Sequence, residues 1–185
     1  NNQGLRYHHA GDNQKAEEIY KKGLSFQPHH MLTLYNLGLV LQTQGKIEEA
    51  AATYEKSLQH HARRILDPDA RRAIYSNLGA CYQKLGQPDL AIEAYQGALE
   101  WAPQSPTILN NIAGIHLQNR NFEAARKILQ PLVGRLPNST NYRLNLVIAL
   151  VGLEDHPTAL AQCLEAQKRD PENPIVQELL DTLQK

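Results

Sequence analysis

Small and bulky apolar residues recur along this chain at a fixed distance. Ala16, Ala50, Ala91, Ala125 and Ala159 are separated by 34, 41, 34 and 34 residues, and Tyr20, Tyr54, Tyr95, Leu129 and Cys163 follow the same steps four residues later. Four residues is about one helical turn, so each pair shares a helix face: the small residue lets two helices approach, and the larger one fills the gap along that face. A polar position keeps time with them. Leu34-Tyr35-Asn36-Leu37-Gly38 returns as Tyr75-Ser76-Asn77-Leu78-Gly79, then as Leu109-Asn110-Asn111-Ile112-Ala113 and Arg143-Leu144-Asn145-Leu146-Val147, with Asn2 standing 34 residues before Asn36. Two more phases punctuate the units. Gly11, Gly45 and Gly86 end a first helix, a phase that Arg120 and Glu154 then abandon, and Pro28, Pro103, Pro137 and Pro171 close a second.

The pattern predicts an all-α chain of about five helix-turn-helix units, residues 1–30, 31–71, 72–105, 106–139 and 140–173, followed by a capping helix over 174–185. Within the units the helices run to about Ala10 and from Asp12 to Phe26, from His30 to Thr43 and from Ile47 onward, then to Leu85 and from Pro88 to Trp101. The last two pairs are Pro106 to Gln118 with Phe122 to Arg135, and Ser139 to Gly152 with Pro157 to Arg169. Asn173-Pro174 reads as a cap and a first-turn proline. The apolar Ile175, Val176, Leu179, Leu180 and Leu183 behind it are expected to cover the open end of the stack. The 41-residue step places seven extra residues between the second and third units. Asp67-Pro68 opens the helix after them, so one added turn on each flanking helix is expected, forming a ridge with Arg63, Arg64, Arg71 and Arg72. Pro131 falls inside a helical run and should kink it or remove a hydrogen bond.

Composition narrows the function. Nineteen basic and nineteen acidic residues cancel, which leaves no electrostatic footprint for nucleic acid or an anionic membrane. No apolar run approaches the roughly 20 residues of a membrane helix. The numbering starts inside a unit, so a piece of a longer protein is expected. Cys81 and Cys163 occupy different phases, which argues against a disulfide framework and fits a cytoplasmic, reducing compartment. No nucleophile elbow, phosphate loop, catalytic carboxylate pair or Cys/His constellation occurs, so neither enzymatic activity nor a cofactor is expected. His8-His9, His29-His30 and His60-His61 are adjacent pairs on different helix faces, unlike the i, i+4 spacing of a helical metal site. His29-His30 and His60-His61 lie near ends of second helices, where they could approach each other, but no metal site is expected.

The unit length, the small-residue and aromatic phases and the closing proline resemble the tetratricopeptide-repeat family over nearly the whole chain. That resemblance implies a right-handed superhelix whose first helices face a concave groove. Carried onto this chain, the inner face shows Leu32, Tyr35, Leu39 and Gln42, then Ala73, Ser76, Ala80, Gln83 and Lys84, then Thr107, Asn110, Gly114 and Gln118, and last Asn141, Leu144, Ile148 and Val151. Only Lys84 is charged. The row of Asn36, Asn77, Asn111 and Asn145 is similar to the asparagine ladder of O-linked N-acetylglucosamine transferases, and peptide-binding asparagines also occur in the peroxisomal import receptor.

An asparagine side chain offers one acceptor and two donors, so it can pair with both the C=O and the N–H of an extended peptide. The expected function is therefore a protein-interaction scaffold. Its groove would take an extended, mostly uncharged peptide through Asn36, Asn77, Asn111 and Asn145, helped by Tyr35, Asn110, Gln83 and Lys84. The same asparagines could instead bond helix to helix. A carboxylate clamp, which the family builds from Lys and Asn one turn apart, is missing, since those positions hold Tyr35 and Leu39, Ser76 and Ala80, and Asn110 and Gly114. Two other classes stay open: the substrate-recruiting or regulatory arm of a larger enzyme such as a glycosyltransferase, and a self-assembling scaffold. His116, where the family has an inner-helix tyrosine, reads as a core or groove histidine.

Overall fold

The computed structural model describes residues 2–59 and 67–184. Among them are eleven α-helices and no strand: α1 (Asn2–His9), α2 (Asn13–Phe26), α3 (Met31–Thr43), α4 (Ile47–Gln59), α5 (Pro68–Lys84), α6 (Pro88–Leu99), α7 (Pro106–Gln118), α8 (Phe122–Arg135), α9 (Thr140–Gly152), α10 (His156–Arg169) and α11 (Pro174–Leu183). The chain divides into two compact units, Asn1–Pro103 and Gln104–Lys185. In each, helices pack against their neighbours in sequence, and odd-numbered first helices also touch one another, α3 with α5 and α7 with α9.

Local chemistry sets the boundaries. Asp12, His30, Asp67, Asp155 and Asn173 each accept a backbone N–H of the helix they precede, the last from both Ile175 and Val176. First helices end alike in all five repeats. The residue after the cap has positive φ: Gly11 80°, Gly45 78°, Gly86 69°, Arg120 56° and Glu154 60°. Its N–H returns to the carbonyl three residues back, as Arg120 does to Leu117, and the next N–H reaches five back, as Asn121 does to His116. This is the Schellman arrangement that glycine serves best. Arg120 and Glu154 thus keep the turn that their side chains disfavour, where the sequence pattern alone suggests the phase is lost. Arg120→Gly and Glu154→Gly should each raise unfolding free energy by about 1 kcal/mol, measurable by urea denaturation.

Unit 1 is built around Ala16, Tyr20, Leu37, Leu41, Tyr54, Ile74 and Cys81. Gly4, Gly38 and Gly79 lie against the rings of Tyr20, Tyr54 and Tyr95, so closely that an added Cβ would stand 2.4, 2.4 and 2.8 Å from a ring atom. Unit 2 centres on Ala125, Leu129, Leu132, Leu146, Val147, Leu150 and Cys163, closed by Val176 and Leu180 of α11, with Leu179 and Leu183 packed at the edge. Ile175, expected on the covering face, is instead 51% exposed. The α11 stripe takes Val176 and Leu180 inward, and their neighbour Ile175 turns away from it.

The insertion is met in part. α5 has 17 residues against 13 in α3, so its extra turn is present and begins at Pro68, four residues ahead of the expected repeat boundary. Arg63, Arg64 and the pair His60-His61 lie outside the described residues. Arg71 and Arg72 are engaged at home, Arg71 over the Trp101 ring at 5.4 Å and Arg72 with Asp69 at 3.4 Å. α8 runs unbroken past Pro131 to Arg135. Having no N–H, Pro131 costs that helix one hydrogen bond.

Candidate functional site

Each first helix buries one face and leaves the other accessible. In α3, Leu34, Leu37 and Leu41 are buried, whereas Leu32 is exposed and Tyr35, Asn36 and Leu39 are half-buried. In α5, Ile74, Leu78 and Cys81 are buried, Ala73, Ser76, Asn77, Ala80 and Gln83 are half-buried, and Lys84 is exposed. Unit 2 repeats this with Asn110, Asn111 and Gly114 half-buried and Thr107 and Gln118 exposed on α7, and with Asn145 and Val151 half-buried and Asn141 and Ile148 exposed on α9. Leu144, expected on the accessible face, is 5% exposed and belongs to the core. Its side chain completes the apolar contact between α9 and its neighbours.

The asparagines divide by what they bond. Asn145 Nδ2 donates to Asn110 Oδ1 at 2.8 Å, an amide bridge between α9 and α7. Asn36, Asn77 and Asn111 make no side-chain hydrogen bond among the described residues. Their amide atoms are not shut away either. The buried polar atoms without a partner among the described residues are Asn13 Oδ1, Tyr20 Oη, Gln44 Oε1 and Arg143 Nε. A half-buried amide that solvent reaches and the protein leaves unengaged has donors and an acceptor to offer.

Glutamines of the same helices serve the interior. Tyr54 Oη donates to Gln42 Oε1 at 2.8 Å, and Gln42 Nε2 turns to Cys81 Sγ at 3.1 Å. Tyr95 repeats the bond with Gln83 Oε1 at 3.3 Å. Gln83 is therefore partly committed to holding α6, and Tyr35 leans on Tyr54 with ring centroids 6.2 Å apart. Burial pushes the Cys81 thiol up to about 11, against the pull of its Gln42 bond, which makes it a poor nucleophile at neutral pH. Lys84 stands exposed at the end of α5.

Charged chemistry gathers elsewhere. Glu17 is 8% exposed yet ionised, with its carboxylate held at 2.6 Å by Lys21 and 2.9 Å by Lys46. Those two bonds, opposed by burial, lower its pKa to about 2. It sits beside a cavity of about 670 Å³ lined also by Asp12, Asn13, Glu18 and Gln44. The same phase holds Ala51, Ile92, Arg126 and Leu160 in later repeats. At Arg126 the polarity is inverted: it lines a second cavity, about 210 Å³, together with Asp155. Sequence reading passed over Glu17, although an acidic residue in a phase that holds Ala51, Ile92 and Leu160, with a charge again only at Arg126, was the available signal. It also missed Arg143, 5% exposed where earlier repeats place Leu34, Tyr75 and Leu109, with its Nη2 donating to Pro137 O at 2.9 Å.

No group of three or more metal-ligating side chains occurs among the described residues, nor does any described helix have the length and apolarity to cross a membrane.

Comparison with known proteins places the repeat. Profiles described as tetratricopeptide repeat match residues 1–30, 30–104 and 82–144. The chain belongs to the tetratricopeptide-repeat family. Members of this family are protein-interaction scaffolds that bind protein partners. Among curated relatives, the BBSome complex member BBS4 of Bos taurus is 27% identical over 94% of this chain and 32% of its own length. The photosystem I assembly protein Ycf3 of Prochlorococcus marinus subsp. pastoris is 34% identical over 48% of this chain and 49% of its own. The chain thus spans about a third to a half of these relatives. Among solved structures, YrrB, described as a TPR protein with an unusual peptide-binding site, superposes with a TM-score of 0.82 at 19% identity, over 96% of this chain and 88% of that one. MamA gives 0.80 at 19% identity, over 91% and 88%. At such identities the likeness speaks for the tetratricopeptide-repeat fold.

Proposed function

We propose that this tetratricopeptide-repeat protein holds an extended, mostly uncharged segment of a partner protein against the accessible faces of its first helices, and carries out no reaction on it. The observation that carries this reading is the set of solvent-reached, unengaged amides of Asn36, Asn77 and Asn111. Each presents a donor and an acceptor, the complement of one peptide unit. Recognition of this kind is indifferent to ligand sequence, and the surrounding Leu32, Leu39, Ala80, Gly114 and Ile148 suit side chains without charge. The names of two relatives, an assembly protein and a complex member, are in keeping with a scaffold that holds other proteins.

The test uses a peptide selected on this protein from a random display library, with affinity measured by calorimetry. Asn77→Ala combined with Asn111→Ala should weaken binding about 10- to 100-fold, given about 0.5–1.5 kcal/mol per hydrogen bond. The melting temperature should stay within about 2 °C of the parent, because neither amide bonds within the fold. Unchanged affinity with a lowered melting temperature would assign these asparagines to the fold instead.

A further inference from the structure

The Asn110–Asn145 bridge has a direction, and beside it lies space. Because Asn145 Nδ2 gives its proton to Asn110 Oδ1, the bridge leaves Asn145 Oδ1 as an acceptor and Asn110 Nδ2 as a donor, and neither atom is among the buried unpartnered ones. The two groups are locked to each other before any ligand arrives, so little side-chain freedom is left to lose on binding. One turn further along both helices, Gly114 of α7 has nothing within 4 Å of where a Cβ would stand. Ile148, three residues beyond Asn145 on α9, is 38% exposed. The corresponding residues of the earlier repeats are Leu39 and Ala80, so the side chain that would fill this phase is absent only at Gly114. None of the flanking Thr107, Gln118, Asn141 and Val151 carries a charge.

We infer that unit 2 contains a side-chain-selective subsite: the Asn110–Asn145 bridge holds one peptide group of a partner segment, and the gap over Gly114 beside Ile148 receives the adjoining side chain, which is aliphatic. The bridge supplies what any peptide group needs, while the gap selects. A leucine-sized side chain lying over Gly114 gains contact with Ile148. A carboxylate there would lose water without gaining a partner, and a glycine would leave the space unfilled. This subsite rests on the peptide-holding reading above, but the two can fail separately.

The probes are the N-acetyl, N′-methylamide derivatives of leucine, glycine and aspartate, added at millimolar concentration to the ¹⁵N-labelled full chain. The side-chain NH₂ resonances of Asn110 and Asn145 are followed in the parent and in Gly114→Leu. With no neighbour within 4 Å and a helix former replacing glycine, that variant should melt no lower than the parent. The expected result is that the leucine probe shifts both resonances at least about 5-fold more tightly than the other two, corresponding to about 1 kcal/mol. Gly114→Leu should abolish that preference while its fold is kept. Equal shifts from all three probes would overturn the subsite and leave backbone recognition standing. No shift of either resonance by any probe would overturn the subsite, and the peptide-holding reading falls with it if a display-selected peptide also leaves the Asn36, Asn77 and Asn111 resonances unmoved.

Discussion

Gly38→Ala should lower the unfolding free energy by about 2–3 kcal/mol, although alanine is the better helix former. The new methyl would stand 2.4 Å from Cε1 of Tyr54, a ring that is fully buried and hydrogen-bonded to Gln42 and so cannot swing away without losing both core and bond. The remedy is already written in the chain. Where repeats one to three pair Gly4, Gly38 and Gly79 with Tyr20, Tyr54 and Tyr95, repeat four has Ala113 and Leu129, and repeat five has Val147 and Cys163 at the same phases. The small partner grows as the large one shrinks. Tyr54→Leu alone should cost about 1–2 kcal/mol, and adding Gly38→Ala to it should cost nothing more, giving a coupling of about 2 kcal/mol in the cycle. Chemical denaturation of the four proteins reads it, and additive losses would refute the shared-volume account.

Acid should remove the second large contribution, from Glu17. Its folded pKa, about 2, lies below its ordinary 4.5, so between those values the unfolded chain binds more protons and stability rises with pH. The contribution is complete above about pH 5 and is lost as pH falls toward 2. Lys21 and Lys46 are 56% and 41% exposed, so solvent screens the pair and its full linkage value is reduced, to about 2 kcal/mol at neutral pH. Glu17→Gln should therefore be about 2 kcal/mol less stable than the parent at pH 7, with the gap closing through pH 4 and gone near pH 2. A gap independent of pH would mean that packing, not charge, is what glutamine disturbs.

These two sites show what the sequence reveals and what it hides. Helix existence and order were legible because Ala16 and Tyr20, with their four successor pairs, place volume at a fixed period, and a period near 34 allows few folds. Caps such as Asp12, Asp67 and Asn173 set the starts closely, since their side chains have one evident use there. Turn geometry was half legible: glycine announces a positive φ, but Arg120 and Glu154 adopt it through the two returning hydrogen bonds, which no residue type spells out. Asn36, Asn77 and Asn111 are half-buried on their first helices, whereas Leu144 fell inward because an apolar residue at its edge gains more from the core than from solvent. The partners of Asn145, Gln83 and Glu17 depend on distances between helices, and a one-dimensional pattern holds no such distances.

In the proposed function the amides of Asn36, Asn77, Asn111 and Asn145 face a ligand. The most direct test of that function is the ¹⁵N–¹H spectrum of their side-chain NH₂ groups during titration with the display-selected peptide. The proposed function predicts that the Asn36 and Asn77 resonances of unit 1 move, that the Asn111 resonance of unit 2 moves, and that Asn145 follows while its bond to Asn110 persists. It would be contradicted by a saturated complex in which all four stay in place while resonances around the Glu17 cavity or the Arg126 cavity move instead.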